Sequence, residues 1–581
     1  MAETYLGVDS SLTGRKWIGP GIETERLAET IVQRAGLALP LARVVAARGV
    51  APEDAAAFLT PTLRDLLPDP RSLKDMERAA TRLCAAIARR ERIAVFADYD
   101  VDGGSSAALL LTWLRALGLT ATLYVPDRID EGYGPNAPAM EALARDHDLI
   151  VTVDCGTLSH EPIAAAKGAD VIVLDHHLGG ETLPEACAVV NPNRQDEDGA
   201  LAHLCAAAVV FLCLVEATRQ RREAGLSGPN LLDYLDLVGL ATVADVAPLI
   251  GVNRAFVRQG LTVLARRNRP GLVALADVAR MDGPPTATHF GFLLGPRINA
   301  GGRIGQADLG ARLLSTDDPH EAQALAERLD QLNTERRDIE AMVRDAALAQ
   351  AEERGVDAPL AWAAGDGWHP GVVGIAAARM KEALNRPSVV IGVEDGIGKG
   401  SGRSVTGIDL GAAVQRLTAE GLLLKGGGHK MAAGLTVEEA RIPDAMARLS
   451  ELLERQGAGD LGPRDLAVTG LMAPEGAQPE LVEQIEAAGP FGAGAPAPRF
   501  AFPDMRVSFA KPVGAGHLKL TFSGASGAKI DAIAFGAMDT ALGPTLSNHA
   551  GAAFHIAGRL ELNHWQGRTR VQLRLEDAAN A

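Results

Sequence analysis

The sequence predicts an α/β protein of several domains in series: a parallel-sheet domain, a long connecting helix, a second α/β domain and a small C-terminal β-barrel. Three observations predict it. Between about residues 93 and 174, short apolar runs alternate with loops and helical stretches, as in a parallel sheet covered on both faces. From about Asp317 to Arg354 the chain is rich in Ala, Glu, Leu, Arg and Gln, with no Pro after Pro319, and reads as one long helix that could act as a spacer. From about residue 465 the texture changes to short β-like runs with turns, which suggests a small barrel such as an OB-fold. At 581 residues the chain is too long for one core.

Taken in order, the first 75 or so residues are helical and mixed, and end in the turn-rich Leu67-Pro68-Asp69-Pro70. A helix is expected from about Leu73 to Arg90, a strand at Ile93–Ala97, and a helix from Ser105 to Leu117. Strands are expected at Ala121–Val125, Leu149–Val153 and Val171–Leu174, with a helix around Glu161–Ala166. The longest apolar run, around Leu204–Val215, is too short to span a bilayer and reads as a core helix. The second α/β unit, about 357–456, contains two glycine-rich stretches expected to be loops, Gly398-Lys399-Gly400-Ser401-Gly402-Arg403 and Lys425-Gly426-Gly427-Gly428-His429. The barrel strands are expected at Leu518–Phe522, Ile530–Phe535, Ala553–Leu562 and Thr569–Leu575.

Composition is that of an ordinary folded protein, 47% hydrophobic and 22% charged. The net charge of −16 opposes non-specific binding to a polyanion, so any nucleic-acid contact needs local basic grooves. The five cysteines (84, 155, 187, 205 and 213) are odd in number and form no CxxC pair. They suggest a reducing compartment rather than a disulfide framework or a zinc ribbon. Met1-Ala2-Glu3-Thr4 opens without a basic or apolar leader, so the expected location is cytoplasmic.

Four acidic places share one expected address, the loop after an apolar strand-like run. They are Asp98-Tyr99-Asp100-Val101-Asp102-Gly103, Asp154-Cys155-Gly156, Asp175-His176-His177, and Asp245 after the apolar stretch Leu237–Val243. Parallel strands bring their carboxyl ends together, so these loops should converge in one cleft. Carboxylates so crowded cannot all stay ionised without cations. Oxygen-rich ligands with imidazole and no thiolate suit Mn²⁺ or Mg²⁺, and two such ions about 3.5–4 Å apart cleave phosphoesters. The first loop also resembles an EF-hand, which needs Glu at its twelfth position; counting from Asp98 or Asp100 reaches Leu109 or Leu111. Cys155 has no visible base and reads as small-residue packing.

These residues resemble the DHH phosphoesterase superfamily and, within it, the RecJ exonuclease family over nearly the whole chain. The stretch from Pro68 to Met76, the loop Pro126-Asp127-Arg128 with Glu131-Gly132-Tyr133-Gly134, and the segment from Ala241 to Leu249 carry the likeness. So do Gly295-Pro296-Arg297-Ile298-Asn299-Ala300-Gly301-Gly302-Arg303 and Trp368-His369-Pro370-Gly371-Val372-Val373-Gly374-Ile375. Ala241, Gln306, Ala495 and Ala497 depart from the family pattern without removing an expected ligand. The resemblance implies a DHH catalytic domain at 76–315 with residues 1–75 packing on it. A connecting helix at 316–356, a DHH-associated domain at 357–456 and an OB-fold at 465–581 would follow. It implies a single-strand-specific 5′-to-3′ DNA exonuclease of repair and recombination, working with two Mn²⁺ or Mg²⁺ ions. Asp98, Asp100, Asp102, Asp154, His176 and Asp245 would bind metal, Asp175 would orient the site as a partner of the ligands or as a ligand itself, and His177 would touch the scissile phosphate.

Arg128, Arg297, Arg303, Ser401, Arg403 and His429 are the expected substrate-binding residues. The glycine-flanked Ser401, Arg403 and His429 suit an anion nest. In the barrel, Arg559, Arg568, Arg570 and Arg574 with Trp565 suit single-strand binding. The expected partners are single-stranded DNA with a 5′ end, single-strand-binding protein and repair helicases. A DHH enzyme of short oligonucleotides, cyclic dinucleotides or pyrophosphate would not need the barrel. A metal-free scaffold would have lost motif Asp or His residues, and all are present.

Overall fold

The structure, a computed structural model, describes residues 4–128, 131–356, 358–460, 462, 465–565 and 568–581, with the side chains at 460, 564, 565 and 568 outside the description. The chain divides into two compact units, residues 66–461 and residues 1–65 with 462–581.

The larger unit is built on two sheets. The first comprises β1 (Ile93–Ala97), β2 (Ala121–Tyr124), β3 (Leu149–Val153), β4 (Asp170–Leu174) and β5 (Ala188–Val190), in the order β2-β1-β3-β4-β5. All its pairings are parallel. Every residue of β1 and β3 is buried. That is why these strands read as unbroken apolar runs rather than alternating ones. Helix α1 (Val101–Ala116) follows β1, and α2 (Ala206–Glu223) is the core helix expected from its apolar run.

The stretch Leu237–Val243, grouped with the strand-like runs, is instead part of helix α3 (Leu235–Ala244), with Leu235 to Thr242 all buried. A short run apolar on every side has no period to separate helix from strand, and a helix hydrophobic all round is a buried one. Helix α4 (Gly295–Ile304) comes next, then α5 (Pro319–Arg354), 36 residues long and capped by Asp318, whose carboxylate accepts from the His320 amide at 2.8 Å. Leu325, Leu329 and Leu332 in its first half and Val343, Ala347 and Ala351 in its second are buried. It is therefore a spine shared by both α/β layers rather than a free spacer.

The second sheet comprises β6 (Ala361–Asp366), β7 (Ser388–Glu394), β8 (Ile397–Arg403), β9 (Lys425–His429) and β10 (Ala432–Glu438), in the order β9-β10-β8-β7-β6. The glycine-rich stretches expected as loops are thus the strands β8 and β9. Their glycines are a packing device. A Cβ at Gly398, Gly400 or Gly402 would lie 2.7–2.8 Å from Ile391, Leu435 or Leu410, so that face is flush with the core. The alternate residues Lys399, Ser401 and Arg403 share the opposite face.

The smaller unit is a closed barrel of β11 (Phe500–Val513), β12 (His517–Ser523), β13 (Lys529–Ala534), β14 (Ala553–Trp565) and β15 (Arg568–Asn580). Its ring runs β11-β12-β13-β15-β14 and back to β11. Phe500, Phe502, Phe522 and Phe554 fill its interior. Residues 4–65, expected on the catalytic core, are instead built into this unit. Trp17 and Ile18 pair with Leu466 and Ala467, and Trp17 Nε1 donates to the buried Asp577 carboxylate at 2.9 Å. Leu41 and Val44 share the barrel core. Burying the apolar faces of these short helices against the barrel outweighs their sequence proximity to the first sheet. Among the described residues, no helix is long and apolar enough to cross a membrane.

Candidate metal centre and basic trough

Each acidic side chain is aimed by the element that carries it. Asp98 follows β1 and is 4% exposed. Asp100 caps α1, its Oδ1 accepting from the Asp102 and Gly103 amides at 2.9 and 3.1 Å. The Asp102 carboxylate accepts from the Ala206 and Ala207 amides at 2.7 and 2.8 Å, an anion seated on the N-terminus of α2. Asp154 follows β3 with φ +61°, a left-handed backbone that a non-glycine residue adopts at a cost. Asp175, His176 and His177 follow β4, and Asp245 forms the C-cap of α3. The fourth acid therefore arrives from a helix end, not a strand end.

These groups converge. His176 Nε2 lies 3.3 Å from Asp154 Oδ1, 3.7 Å from Asp102 Oδ2 and 3.9 Å from Asp245 Oδ2. Asp98, Asp100 and Asp154 form one cluster, Asp102, His176 and Asp245 a second, and Asp154, His176 and His177 a third, with donor atoms in each within 4.8 Å of one another. Asp154 is common to the first and third. Asp98 Oδ1 and Asp154 Oδ1 are buried with no hydrogen-bond partner among the described residues. Burial, then the charge of Asp100, pushes the Asp98 carboxyl up to about 8; burial, then Asp102 and Asp100, does the same to Asp245. Asp154 and Asp102 are likewise raised, by burial first. Buried carboxylates with unsatisfied oxygens and mutual repulsion fit hard divalent cations, which neutralise the charge and take up the lone pairs.

Asp175 differs in kind. Its oxygens accept from the amides of His176, His177 and Thr157 at 2.7, 3.1 and 3.0 Å, and from His177 Nδ1 at 2.8 Å. Burial alone would raise its pKa, but these donors and the His177 charge hold it well below the usual carboxylate range. It belongs to no donor cluster and orients His177. Tyr133, not singled out from the sequence as a site residue, brings its hydroxyl to 3.0 Å from His177 Nε2 and donates to the Asp154 carbonyl at 3.1 Å.

Beside β8 lies a trough of about 580 Å³ lined by Arg128, Arg303, Lys399, Ser401 and Lys425, with Gly427 and Gly434 among its lining. Gly427, Gly434 and Ser401 are in register across three strands, and a Cβ at either glycine would meet nothing within 4 Å. Arg403 donates to Ser401 Oγ at 2.9 Å. Arg403 does not itself line the trough; it is tied to it through Ser401, and burial first, then the charges of Arg303 and Arg128, lowers its pKa. Among the described residues no ion pair joins any of them to a carboxylate. Two expected substrate residues are not brought to this place. Arg297 pairs with Asp330 at 2.8 Å and donates to the Leu293 carbonyl at 2.7 Å. His429, exposed at the end of β9, accepts from the Met431 amide at 3.3 Å and does not line the trough. Lys399 and Lys425 escaped notice, although the Gly-Lys-Gly-Ser-Gly-Arg alternation could have revealed Lys399 as sharing a strand face with Ser401 and Arg403.

On the barrel, Arg559 pairs with Glu576 at 2.5 Å, and the Arg574 guanidinium sits 5.1 Å over the ring of Phe535, which is 54% exposed. Arg570 is exposed; the side chains of Trp565 and Arg568 lie outside the described residues. Phe535 gave no signal, since an apolar residue at a strand end reads as core.

Three family models match: the DHH family N-terminal domain over residues 92–242, the DHHA1 domain over 357–455 and the RecJ OB domain over 468–577. The single-stranded-DNA-specific exonuclease RecJ of Dickeya dadantii is 39% identical, over 92% of this chain and 95% of its own. The protein of the same name in Escherichia coli is 37% identical over 92% and 95%. A crystal structure of RecJ from Thermus thermophilus in complex with Mn²⁺ matches with a TM-score of 0.81 and 32% identity, over 97% of this chain and 79% of that one.

Proposed function

This chain belongs to the RecJ family of single-stranded-DNA-specific exonucleases, and from that premise we propose that it degrades single-stranded DNA from the 5′ end by metal-assisted phosphodiester hydrolysis. The observation that carries the reading is the set of three donor clusters linked through Asp154 and His176. Asp98, Asp100, Asp102, Asp154, His176 and Asp245 would hold two Mn²⁺ or Mg²⁺ ions. When bound, such a pair supplies activation of a water and neutralisation of the leaving oxygen.

The chain's own residues do the rest. Asp175 fixes the His177 ring, and His177 presents its other nitrogen toward Tyr133 and the scissile phosphate. Arg128, Arg303, Ser401 and Arg403 hold the 5′-terminal phosphate through charge-assisted, fork-shaped donors. Lys399 and Lys425 would neutralise the following backbone. Domain limits at 76–315, 316–356, 357–456 and 465–581, a cytoplasmic location, a role in repair and recombination, and contacts with single-strand-binding protein and repair helicases complete the proposal. The test is digestion of 5′-labelled and 3′-labelled single strands, and of duplex, with Mn²⁺ or Mg²⁺. Release of label from the 5′ end first, with duplex spared, is expected; release from the 3′ end first overturns the polarity.

Metal uptake should release protons. With carboxyls near 8 in the cation-free site, Asp98 and Asp245 are largely protonated at pH 7, and a cation must displace those protons. Mn²⁺ affinity should therefore tighten as pH rises from about 6 to 8. Calorimetry in two buffers of different ionisation heat measures the release directly, and equal heats would refute it. On the barrel, Phe535→Ala should weaken binding of long single strands by about 1–3 kcal/mol, the worth of one base stack, while kcat at saturating DNA stays within about twofold. Unchanged affinity would remove Phe535 from the DNA path.

A further inference from the structure

We propose that Tyr99 is a positioning residue: its ring sets the Arg128 guanidinium in the basic trough and so fixes the distance between the terminal phosphate and the metal ligands. The inference rests on reading the trough as the site of that phosphate. Tyr99 stands between Asp98 and Asp100, and the Arg128 guanidinium carbon sits 5.3 Å from its ring centroid. From the other side the ring is pressed against helix α4. A Cβ at Gly302 would lie 2.2 Å from Tyr99 Cδ2 and 2.6 Å from its Cβ and Cγ, so only glycine leaves room for it. The next residue, Arg303, is itself a wall of the trough and donates to the Gly371 carbonyl at 3.2 Å.

Arg128 needs such a support. It follows β2 on a loop, and it shares the lining of the trough with Arg303, a like charge, while Arg403, bonded to the lining Ser401, adds a second. Without an anion those charges repel it toward solvent, and the electron-rich ring face is the group that holds a cation there. Because the ring hangs from the residue between two metal-cluster carboxylates, the anchor and the cleavage point are tied through one residue of backbone. A tie this short acts as a ruler for an exonuclease, which must place the first phosphodiester at a fixed distance from the terminus.

The test uses the full chain with Mn²⁺ and compares kcat and KM on 5′-phosphorylated and 5′-hydroxyl single strands. Wild type should prefer the phosphorylated end. Tyr99→Leu, which stays apolar but loses the π-face, should cut that preference by on the order of tenfold, mainly through KM. Tyr99→Phe should restore it. Gly302→Ala, which crowds the ring without touching the loop, should reproduce the Tyr99→Leu loss and decides the matter if Tyr99→Leu does not fold. Wild type without any end preference would overturn the phosphate reading and this inference together. A wild-type preference retained in Tyr99→Leu, or in Gly302→Ala, would overturn this inference alone. Equal losses on both ends in Tyr99→Leu, with loss of the Mn²⁺-induced rise in melting temperature, would also overturn it, by assigning the ring to the metal ligands.

Discussion

Replacing Asp154 with alanine should abolish hydrolysis while leaving single-strand binding intact. Asp154 is 2% exposed, lies within reach of Asp98, Asp100, His176 and His177, and carries an oxygen with no hydrogen-bond partner among the described residues. Removing it would take a donor from two of the three clusters at once. Losing several kcal/mol of charge stabilisation in the transition state lowers kcat by on the order of a thousandfold or more. The same physics predicts the opposite sign for stability. In the cation-free protein this carboxylate is repelled by Asp102, Asp100, Asp98 and Asp245 besides being desolvated. Asp154→Asn should therefore melt at a higher temperature than wild type without metal, yet lose most of the rise that Mn²⁺ gives wild type. Near-normal turnover of Asp154→Ala in Mn²⁺ would sink the two-metal assignment.

Arg403→Ala should abolish the preference for a 5′-phosphate. The guanidinium is fixed by Ser401 Oγ at 2.9 Å and the Gly402 carbonyl at 2.8 Å, from one nitrogen, which leaves the rest of the fork for a ligand. Loss of this anchor lets the terminus shift, and misplacement by about 1 Å can cost on the order of 100-fold. Initial rates on phosphorylated and hydroxyl ends, wild type against mutant, measure it. A mutant that keeps the full preference would make Arg403 a general backbone contact. Ser401→Ala should fall in between, since it removes one hydroxyl and loosens Arg403 together.

The metal centre was legible because its residues follow features that sequence shows directly. Asp98, Asp154 and Asp175 come immediately after buried parallel strands, and such strands are continuous apolar runs that end sharply in polar residues. Asp245 was expected after a strand and stands instead at a helix end, because Leu237–Val243 is apolar at nearly every position and carries no period. The trough was only half legible. Arg128, Arg303 and Ser401, which line it, were named, as was Arg403 behind Ser401, but the glycine stretches were expected to be loops. Glycine is rare in strands unless something packs against the bare backbone, and the partners that do so here, Ile391, Leu410 and Leu435, come from separate elements. Arg297 and His429 were chosen by type and neighbourhood; Asp330 and the Met431 amide are what hold them elsewhere.

By itself the sequence determined the layer architecture, the barrel and the long helix, and it pointed to the carboxylates and imidazoles that form the candidate donor clusters among the described residues. Burial and strand period are local properties, written into consecutive residues. Only the tertiary structure decided that residues 4–65 join the barrel, that Asp175 is saturated by four donors, and that Arg128 and Arg303 line one trough with Ser401, to which Arg403 is bonded. Those outcomes depend on which distant surfaces exclude water from each other and on distances of a few ångströms between side chains hundreds of residues apart, and no local pattern encodes either.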